Sequence, residues 1–274
     1  MSVSVIYHDS RLEGLTPSAT PNLITRSVGQ STSLVSFFRT CRDIATANGG
    51  IDQLTIMAHG IEVRQETGVV GGGYGITFCR EGINLNTVGI DLRTSEAPAG
   101  ATDETLGFNL LHGLVDVIVM CVCCIADISP DMDTLEGPMR GNGIELCQRI
   151  ATAARCTVIA SDEVQAYTWT TEVCPTFGGP DDFLCINIPM GVCRDELTEI
   201  DFGGWEGTVY TINEHGEIVN TEPYPSIWRD SAGTARDPRE LTAHRGSPSA
   251  APGRWCDPSP FPNPYAFEDQ LLGR

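Results

Sequence analysis

Two short apolar segments of this chain each end in a residue type that can do nucleophilic chemistry. Residues 54–58 lead directly into His59 and Gly60. Residues 115–120 lead into a cysteine cluster at positions 121, 123 and 124. A thiol beside an imidazole is the working pair of cysteine nucleophilic catalysis. The glycine has its own use, because a backbone amide without a neighbouring side chain can approach a developing oxyanion.

Both segments have the pattern of strands that are buried on both faces of a parallel sheet. They are short, rich in β-branched residues and bounded by turn residues. Adjacent parallel strands that end at one sheet edge would bring His59 and a cysteine together, where such folds place ligands. His8, after the alternating N-terminal stretch, is expected near the same edge. The alternative is a buried cysteine-rich strand and an ordinary loop histidine.

Strand and helix patterns alternate along the first part of the chain, which predicts βαβ units, a mainly parallel sheet and an α/β fold. The predicted strands are 2–7, 54–58, 115–121 and 157–160, the predicted helices are 31–48, 102–113 and 143–154, and a hairpin is predicted from 76–79 and 83–85.

The character of the sequence changes after about residue 202. Residues 208–212 and 217–219 flank a turn and predict a β-hairpin. From residue 231 the chain is rich in Pro, Ser, Gly and Ala. Such a segment buries too little apolar surface by itself to offset the loss of conformational entropy on folding. We therefore divide the chain into a main domain (1–200), a β-hairpin appendage (201–230) and a tail (231–274) that is disordered or wraps a protein partner.

Composition excludes several classes of function. The net charge of −19 argues against nucleic-acid binding, which needs a basic face. No apolar run approaches the roughly 18 residues of a membrane span, and the N-terminus lacks the features of a signal peptide. Eleven cysteines, several in apparent core strands, favour a reduced cytoplasmic protein. All 17 basic residues are arginines, which excludes Schiff-base and Walker-lysine chemistry.

Two further motifs are weaker. The glycine-rich residues 68–75 lack both the P-loop ending and the G-x-G-x-x-G register, so we interpret them as a flexible hairpin or lid. The cluster Cys121, Cys123 and Cys124 lacks the second cysteine pair of a structural zinc site, so we expect no metal and no cofactor. Strand alternation would put Cys121 and Cys123 on one face and Cys124 on the other.

Taken together, these residues resemble the caspase-like superfamily of cysteine peptidases (clan CD). Closer still, the chain is similar to the bacterial caspase-like domain of unknown function found in large surface and adhesin-type proteins. The resemblance covers about residues 51 to 161 and rests on the order of four pieces. These are Met-Ala-His-Gly at 57–60, Val-Cys-Cys-Ile-Ala at 122–126, the glycine-led helix at 143–154 and Val-Ile-Ala-Ser at 158–161. It implies a caspase-like sandwich, with helices flanking the sheet, and the activity of an endopeptidase.

The resemblance also implies roles for residues. Cys123 would be the nucleophile, His59 its partner, and the backbone amides of Gly60 and Cys123 the oxyanion donors. The family's glycine and asparagine on either side of the nucleophile are Val122 and Cys124 here. Cys124 therefore stays open as an alternative nucleophile, and an inactive caspase-fold binding or scaffold module stays open as an alternative function.

A substrate preference follows only from the family. Members that cleave after arginine or lysine place carboxylates in the first specificity pocket, and Asp162 and Glu163 follow a strand expected beside the cysteine strand. A carboxylate there would pair with a basic side chain of a peptide or protein substrate. The alternative is a solvated pair that caps a loop. With such a preference, the tail, with arginines at 236, 239, 245 and 254, would be a candidate for self-cleavage.

Overall fold

The structure is a computed structural model that describes residues 2–12, 14–61, 63–64, 70–85, 107–134, 137–165, 171–172, 196–197, 199–200, 202 and 204–225. The predicted tail, with its arginines, lies outside the described residues. No helix in the described ranges is long and apolar enough to cross a membrane.

The described residues form strands, two α-helices and one short 3-10 helix (Phe108–Leu111). The helices are α1 (Leu34–Asn48) and α2 (Gly143–Ala154). The strands are β1 (Val3–Asp9), β2 (Leu23–Val28), β3 (Ile51–Gly60), β4 (Val63–Arg64), β5 (Val70–Gly71), β6 (Ile76–Thr77), β7 (Val115–Val122), β8 (Met132–Thr134), β9 (Gly137–Met139), β10 (Thr157–Ser161), β11 (Thr171–Glu172), β12 (Glu196–Leu197), β13 (Gly207–Ile212) and β14 (Ile218–Tyr224).

A mostly parallel mixed sheet lies at the centre of the fold, so the α/β class predicted from sequence is confirmed. Its strand order is β14-β13-β10-β7-β3-β1-β2, and β6 pairs with the end of β3. The five strands from β10 to β2 run parallel to their neighbours. Strands β13 and β14 are antiparallel to theirs, and β6 is antiparallel to β3.

Local sequence signals explain where both helices begin and end. The Ser33 side chain accepts a hydrogen bond from the backbone of Ser36 and caps α1, which ends at Gly49 in the left-handed conformation (φ 75°). Asn142 caps α2 in the same way by accepting from the backbone of Glu145. These helices match the predicted helices within a few residues.

Both helices pack on the same face of the sheet. Leu54 of β3 pairs in register with Val5 of β1 and Ile118 of β7, and all three belong to the main core with the apolar faces of α1 and α2. The opposite face carries a smaller cluster in which Met57 and Cys121 pack with Leu12 and Ile200. Among the described residues, the predicted flanking by helices is therefore found on one face only.

The structure differs from the sequence predictions in the hairpin β13–β14 and in strand β2. The hairpin β13–β14 is not an appendage, because β13 pairs with β10 from Val158↔Ile212 to Ser161↔Val209 and continues the central sheet. Without that pairing, the backbone N–H and C=O groups at the edge of β10 would have no strand partner. Strand β2, which pairs with β1, was not predicted. Of the helix predicted over 102–113, the described part forms only the 3-10 helix Phe108–Leu111.

Candidate active site

The register of β3 and β7 brings the two predicted dyad positions to the same edge of the sheet. Met57 lies opposite Cys121, and Ala58 lies opposite Val122. His59 and Cys123 are the next residues along these adjacent parallel strands, and β7 ends at Val122. The carboxyl ends of parallel strands are where α/β folds assemble ligand sites.

Gly60 and Cys123 are in direct backbone contact. A β-carbon placed on residue 60 would lie 2.0 Å from the carbonyl oxygen of Cys123 and 3.0 Å from its carbonyl carbon. Only glycine allows this approach. The glycine after the histidine thus sets the distance between the end of β3 and the cysteine loop, a role that adds to the oxyanion role predicted for it.

The imidazole of His59 is oriented by a backbone carbonyl. Its Nε2 lies 3.0 Å from the carbonyl oxygen of Arg11. A carbonyl oxygen only accepts hydrogen bonds, so Nε2 carries the proton and Nδ1 is the acceptor nitrogen of the neutral ring. The orienting residue is not apparent from sequence, because Arg11 lies 48 positions before His59 and comes beside it only through the pairing of β1 with β3.

An ion pair fixes the loop that carries Arg11. The guanidinium donates from Nε to Oδ1 of Asp9 at 2.8 Å and from Nη2 to Oδ2 at 2.7 Å. Nη2 also donates to the carbonyl of Cys79 at 2.6 Å. Asp9 is fully buried and accepts the backbone N–H of Cys79 as well (3.0 Å). The sequence carries a signal for this pair, because Asp9 and Arg11 lie two residues apart at the end of a strand.

His8 lies at the same edge, as predicted, and holds the same loop. Its Nε2 donates to the carbonyl of Leu12 at 2.9 Å, and Nδ1 lies 3.0 Å from the hydroxyl of Thr16. Burial lowers the pKa of His8, against smaller opposing effects of the Leu12 carbonyl and Asp9. The neutral ring is therefore favoured, and both of its nitrogens have loop partners.

The thiol of Cys123 is enclosed. The residue is only 3% exposed. The backbone N–H of Gln165 donates to Sγ at 3.4 Å, and Sγ lies 3.8 Å from the carbonyl oxygen of Gln165. Val164 packs against both Cys123 and Cys124. The segment after β10 thus covers the position predicted for the nucleophile.

Cys124 is embedded on its other side by the glycine-rich segment. Its carbonyl accepts the N–H of Gly73 at 2.8 Å, and a β-carbon on Gly72 would lie 2.2 Å from the Cys124 β-carbon. Of the predicted hairpin or lid, the described part pairs antiparallel as in a hairpin (Val63↔Gly71 and Arg64↔Val70), and the close packing of Gly72 and Gly73 argues against a lid. The predicted strand alternation also stops at Val122, because Cys124 adopts a left-handed conformation (φ 49°).

Cys121 is a small, buried, apolar side chain. This agrees with the alternative interpretation of the cysteine cluster, that of a buried cysteine-rich strand. It packs with Met57 and Ile200 on the face opposite the helices. Burial raises the pKa of its thiol to about 12. A neutral thiol of this kind is a poor nucleophile at physiological pH.

The two acidic residues predicted for a specificity pocket have different surroundings. Asp162 accepts the N–H of Thr208 at 2.8 Å and the hydroxyl of Tyr210 at 3.2 Å, so its carboxylate is bound to β13. Glu163 is buried, and its carbonyl accepts the N–H of Cys124 at 2.9 Å. The structure thus places the backbone of Glu163 against the cysteine loop, and the Glu163 carboxylate accepts the N–H of Val164 at 3.1 Å.

The remaining histidines of the described ranges lie elsewhere. His112 precedes β7 at the opposite edge, as predicted, and His215 lies in the turn between β13 and β14. Across the described part of the chain, no three His, Cys, Asp or Glu side chains come together as a metal site.

Comparison with known proteins gives no match to a family model, to a curated protein or to a solved structure.

Proposed function

We propose that this chain is a cysteine endopeptidase of the caspase-like type in which His59 and Cys123 form the catalytic dyad. The observation that carries the proposal is the register of β3 and β7, which sets the two residues side by side at the carboxyl edge of a parallel sheet. The order of the pieces along the chain supports the same family: β3 ends in His-Gly, β7 leads into the cysteine loop, and α2 begins with Gly143.

The orientation of His59 supports a defined path for the proton. With Nε2 donating to the Arg11 carbonyl, Nδ1 takes the thiol proton as sulfur bonds to the scissile carbonyl carbon. The C–N bond then breaks, and Nδ1 returns the proton to the leaving amine. Water hydrolyses the thioester and regenerates the thiol. The Arg11 carbonyl acts as a positioning group that holds the ring, and the Asp9–Arg11 pair holds that carbonyl.

The backbone amides of Gly60 and Cys123 are the proposed donors to the tetrahedral oxyanion. Support comes from the contact between Gly60 and the carbonyl of Cys123, which holds the two residues close together at this edge of the sheet. Preorganised backbone donors are an effective way to stabilise such an intermediate.

The proposed preference for a basic side chain now rests on Glu163. Its backbone carbonyl binds the N–H of Cys124, and its carboxylate accepts the N–H of Val164, which packs on Cys123, whereas the Asp162 carboxylate is bound to β13. A buried carboxylate near the nucleophile would favour an arginine of the substrate by a charge-assisted hydrogen bond.

A second candidate function is a non-catalytic scaffold that keeps the fold. The observation that favours it is the enclosure of the Cys123 thiol, which is 3% exposed. A scaffold needs no accessible sulfur, whereas a peptidase must expose it to the substrate.

The test is cleavage of an unfolded protein substrate by the purified full chain. Wild type should cleave it, and both Cys123→Ala and His59→Ala should not. Cys147→Ala is the matched control, because that cysteine is buried in α2 within the main core. No cleavage by wild type, together with no adduct at Cys123 from a peptide aldehyde, would favour the scaffold.

A further inference from the structure

The Cys123 thiol is covered by three consecutive residues that follow β10. We call Glu163, Val164 and Gln165 the strap. The N–H of Gln165 points at the sulfur (3.4 Å), and Val164, itself buried, packs on the cysteine. A scissile carbonyl must come within about 3–3.5 Å of the sulfur to react. Val164 and Gln165 hold that space, so these two residues and a substrate cannot both lie against the Cys123 sulfur.

The side chain of Gln165 joins the strap by hydrogen bonds to Glu206, the residue before β13. Its Nε2 donates to the carbonyl of Glu163 at 2.7 Å and to the carbonyl of Glu206 at 3.0 Å. Its Oε1 accepts the N–H of Glu206 at 3.1 Å. Gln165 is 0% exposed, so each of these bonds forms away from water. Leaving buried polar groups without hydrogen bonds is costly. These contacts therefore depend on a side chain that both donates and accepts, as the Gln165 amide does.

The point of attachment is itself fixed. The hydroxyl of Ser161, at the end of β10, donates to the same Glu206 carbonyl at 2.5 Å. A β-carbon on Gly207 would lie 2.2 Å from the β-carbon of Glu163, so the start of β13 lies directly against the strap. The strap is therefore held between two paired strands, while its own three residues belong to no strand.

We propose that the strap is an autoinhibitory clasp, and that breaking the Gln165–Glu206 contacts exposes the Cys123 thiol without unfolding the sheet. The regulatory consequence rests on the proposed peptidase function, whereas the opening itself is a property of the fold. Segments with few strand contacts open locally at lower cost than the core strands around them.

The first test uses the wild-type chain and iodoacetamide, with the modified cysteines resolved by peptide mass spectrometry. Cys123 should be alkylated at least about tenfold faster than Cys121 and Cys147, since those two sulfurs become accessible only when the core opens. Its rate should also depend less on added urea, because local opening exposes little surface. Equal rates and equal urea dependence at all three cysteines would overturn the clasp.

The second test removes the fastening. Gln165→Ala should raise the alkylation rate of Cys123 by about tenfold to a hundredfold, because three buried hydrogen bonds are lost from the closed state. Gln148→Ala, a change of the same size on α2, should leave it unchanged. The alkylation rate of Cys147 should stay constant in both variants. An unchanged Cys123 rate in Gln165→Ala, or an equal rise at Cys147, would overturn the clasp.

Cleavage measured on the same samples separates the two proposals. Faster alkylation of Gln165→Ala with faster cleavage supports both. Faster alkylation with no cleavage supports the clasp and removes the peptidase. Cleavage by wild type with an unchanged alkylation rate in Gln165→Ala removes the clasp and leaves the peptidase.

Discussion

Gly60 and Cys123 touch through their backbones, at a distance that leaves no room for a β-carbon on residue 60. This contact joins the end of the histidine strand to the cysteine loop. It makes the geometry of the proposed dyad depend on a residue that takes no part in proton transfer. The same contact gives the first prediction.

Gly60→Ala should lower the free energy of unfolding by about 1–3 kcal/mol, because the added methyl group must displace the carbonyl of Cys123. Cleavage should fall further than stability explains, since the two strand ends move apart. Chemical denaturation and cleavage rates measure the two effects. Gly204→Ala is the control, because a β-carbon there meets no atom within 4 Å. Equal behaviour of the two variants would contradict the role of the contact.

Local patterns were sufficient to predict most of the central sheet and the placement of His59 and Cys123 at the same sheet edge. The runs ending at His59 and Val122 are continuous apolar stretches, a pattern set by burial on both faces of a parallel sheet. Helix α2 was predicted because Ile144, Leu146 and Ile150 lie at helical spacing after Gly143, and the cap at Asn142 is a finding of the structure. Each of these signals lies within a few residues of the element that it specifies.

Features that depend on contacts between distant residues were not predictable in the same way. Strand β2 has a half-buried, half-polar pattern and forms because β1 offers an edge. The contact of His59 with Arg11 joins residues 48 positions apart, and that of Gln165 with Glu206 joins residues 41 apart. No local periodicity encodes such pairs.

Cys123→Ala should abolish cleavage, with a loss of at least about a thousandfold, because removal of the nucleophile leaves only binding and oxyanion effects. Cys124→Ala should retain cleavage, since Cys124 is held between Gly73 and Glu163 by its own backbone. Initial rates with an unfolded protein substrate distinguish the variants. Retention in Cys123→Ala with loss in Cys124→Ala would move the nucleophile by one position.

Asp9→Asn should weaken the loop that orients His59. The amide cannot accept all the bonds that the Asp9 carboxylate receives from Arg11 and Cys79, so we expect a loss of about 1–3 kcal/mol in the free energy of unfolding. The maximal rate of cleavage should fall, with little change in KM, because the ring is misplaced and the substrate contacts are not.

Asp43→Asn is the matched control for Asp9→Asn. Asp43 also pairs with an arginine, Arg42, but both side chains are exposed. Exposed ion pairs contribute about 0–1 kcal/mol, so this variant should be close to wild type in stability and rate. A similar loss in both variants would show that the buried pair has no special role at the site.

Stability should fall at acidic pH because of His8. Burial lowers its pKa in the folded chain below the ordinary value of 6.5. Between these two pKa values the unfolded chain binds the proton more readily, so the free energy of unfolding decreases as pH falls below about 6.5. His8→Gln should reduce this dependence, and His112→Gln, at an exposed position, should keep it. Denaturation midpoints from pH 7.5 to 5 measure it, and an identical pH dependence in His8→Gln would count against this assignment.

Glu163→Gln should reduce the preference for substrates with arginine before the cleaved bond. The variant removes a buried carboxylate from the segment that covers Cys123, so cleavage of an arginine peptide should fall by about tenfold or more relative to a neutral peptide. Asp162→Asn is the control, because that carboxylate binds Thr208 and Tyr210 of β13. We expect it to lower stability and to change both peptides equally. Ratios of kcat/KM for the two peptides decide the question, and an unchanged ratio in Glu163→Gln would remove the carboxylate from the specificity pocket.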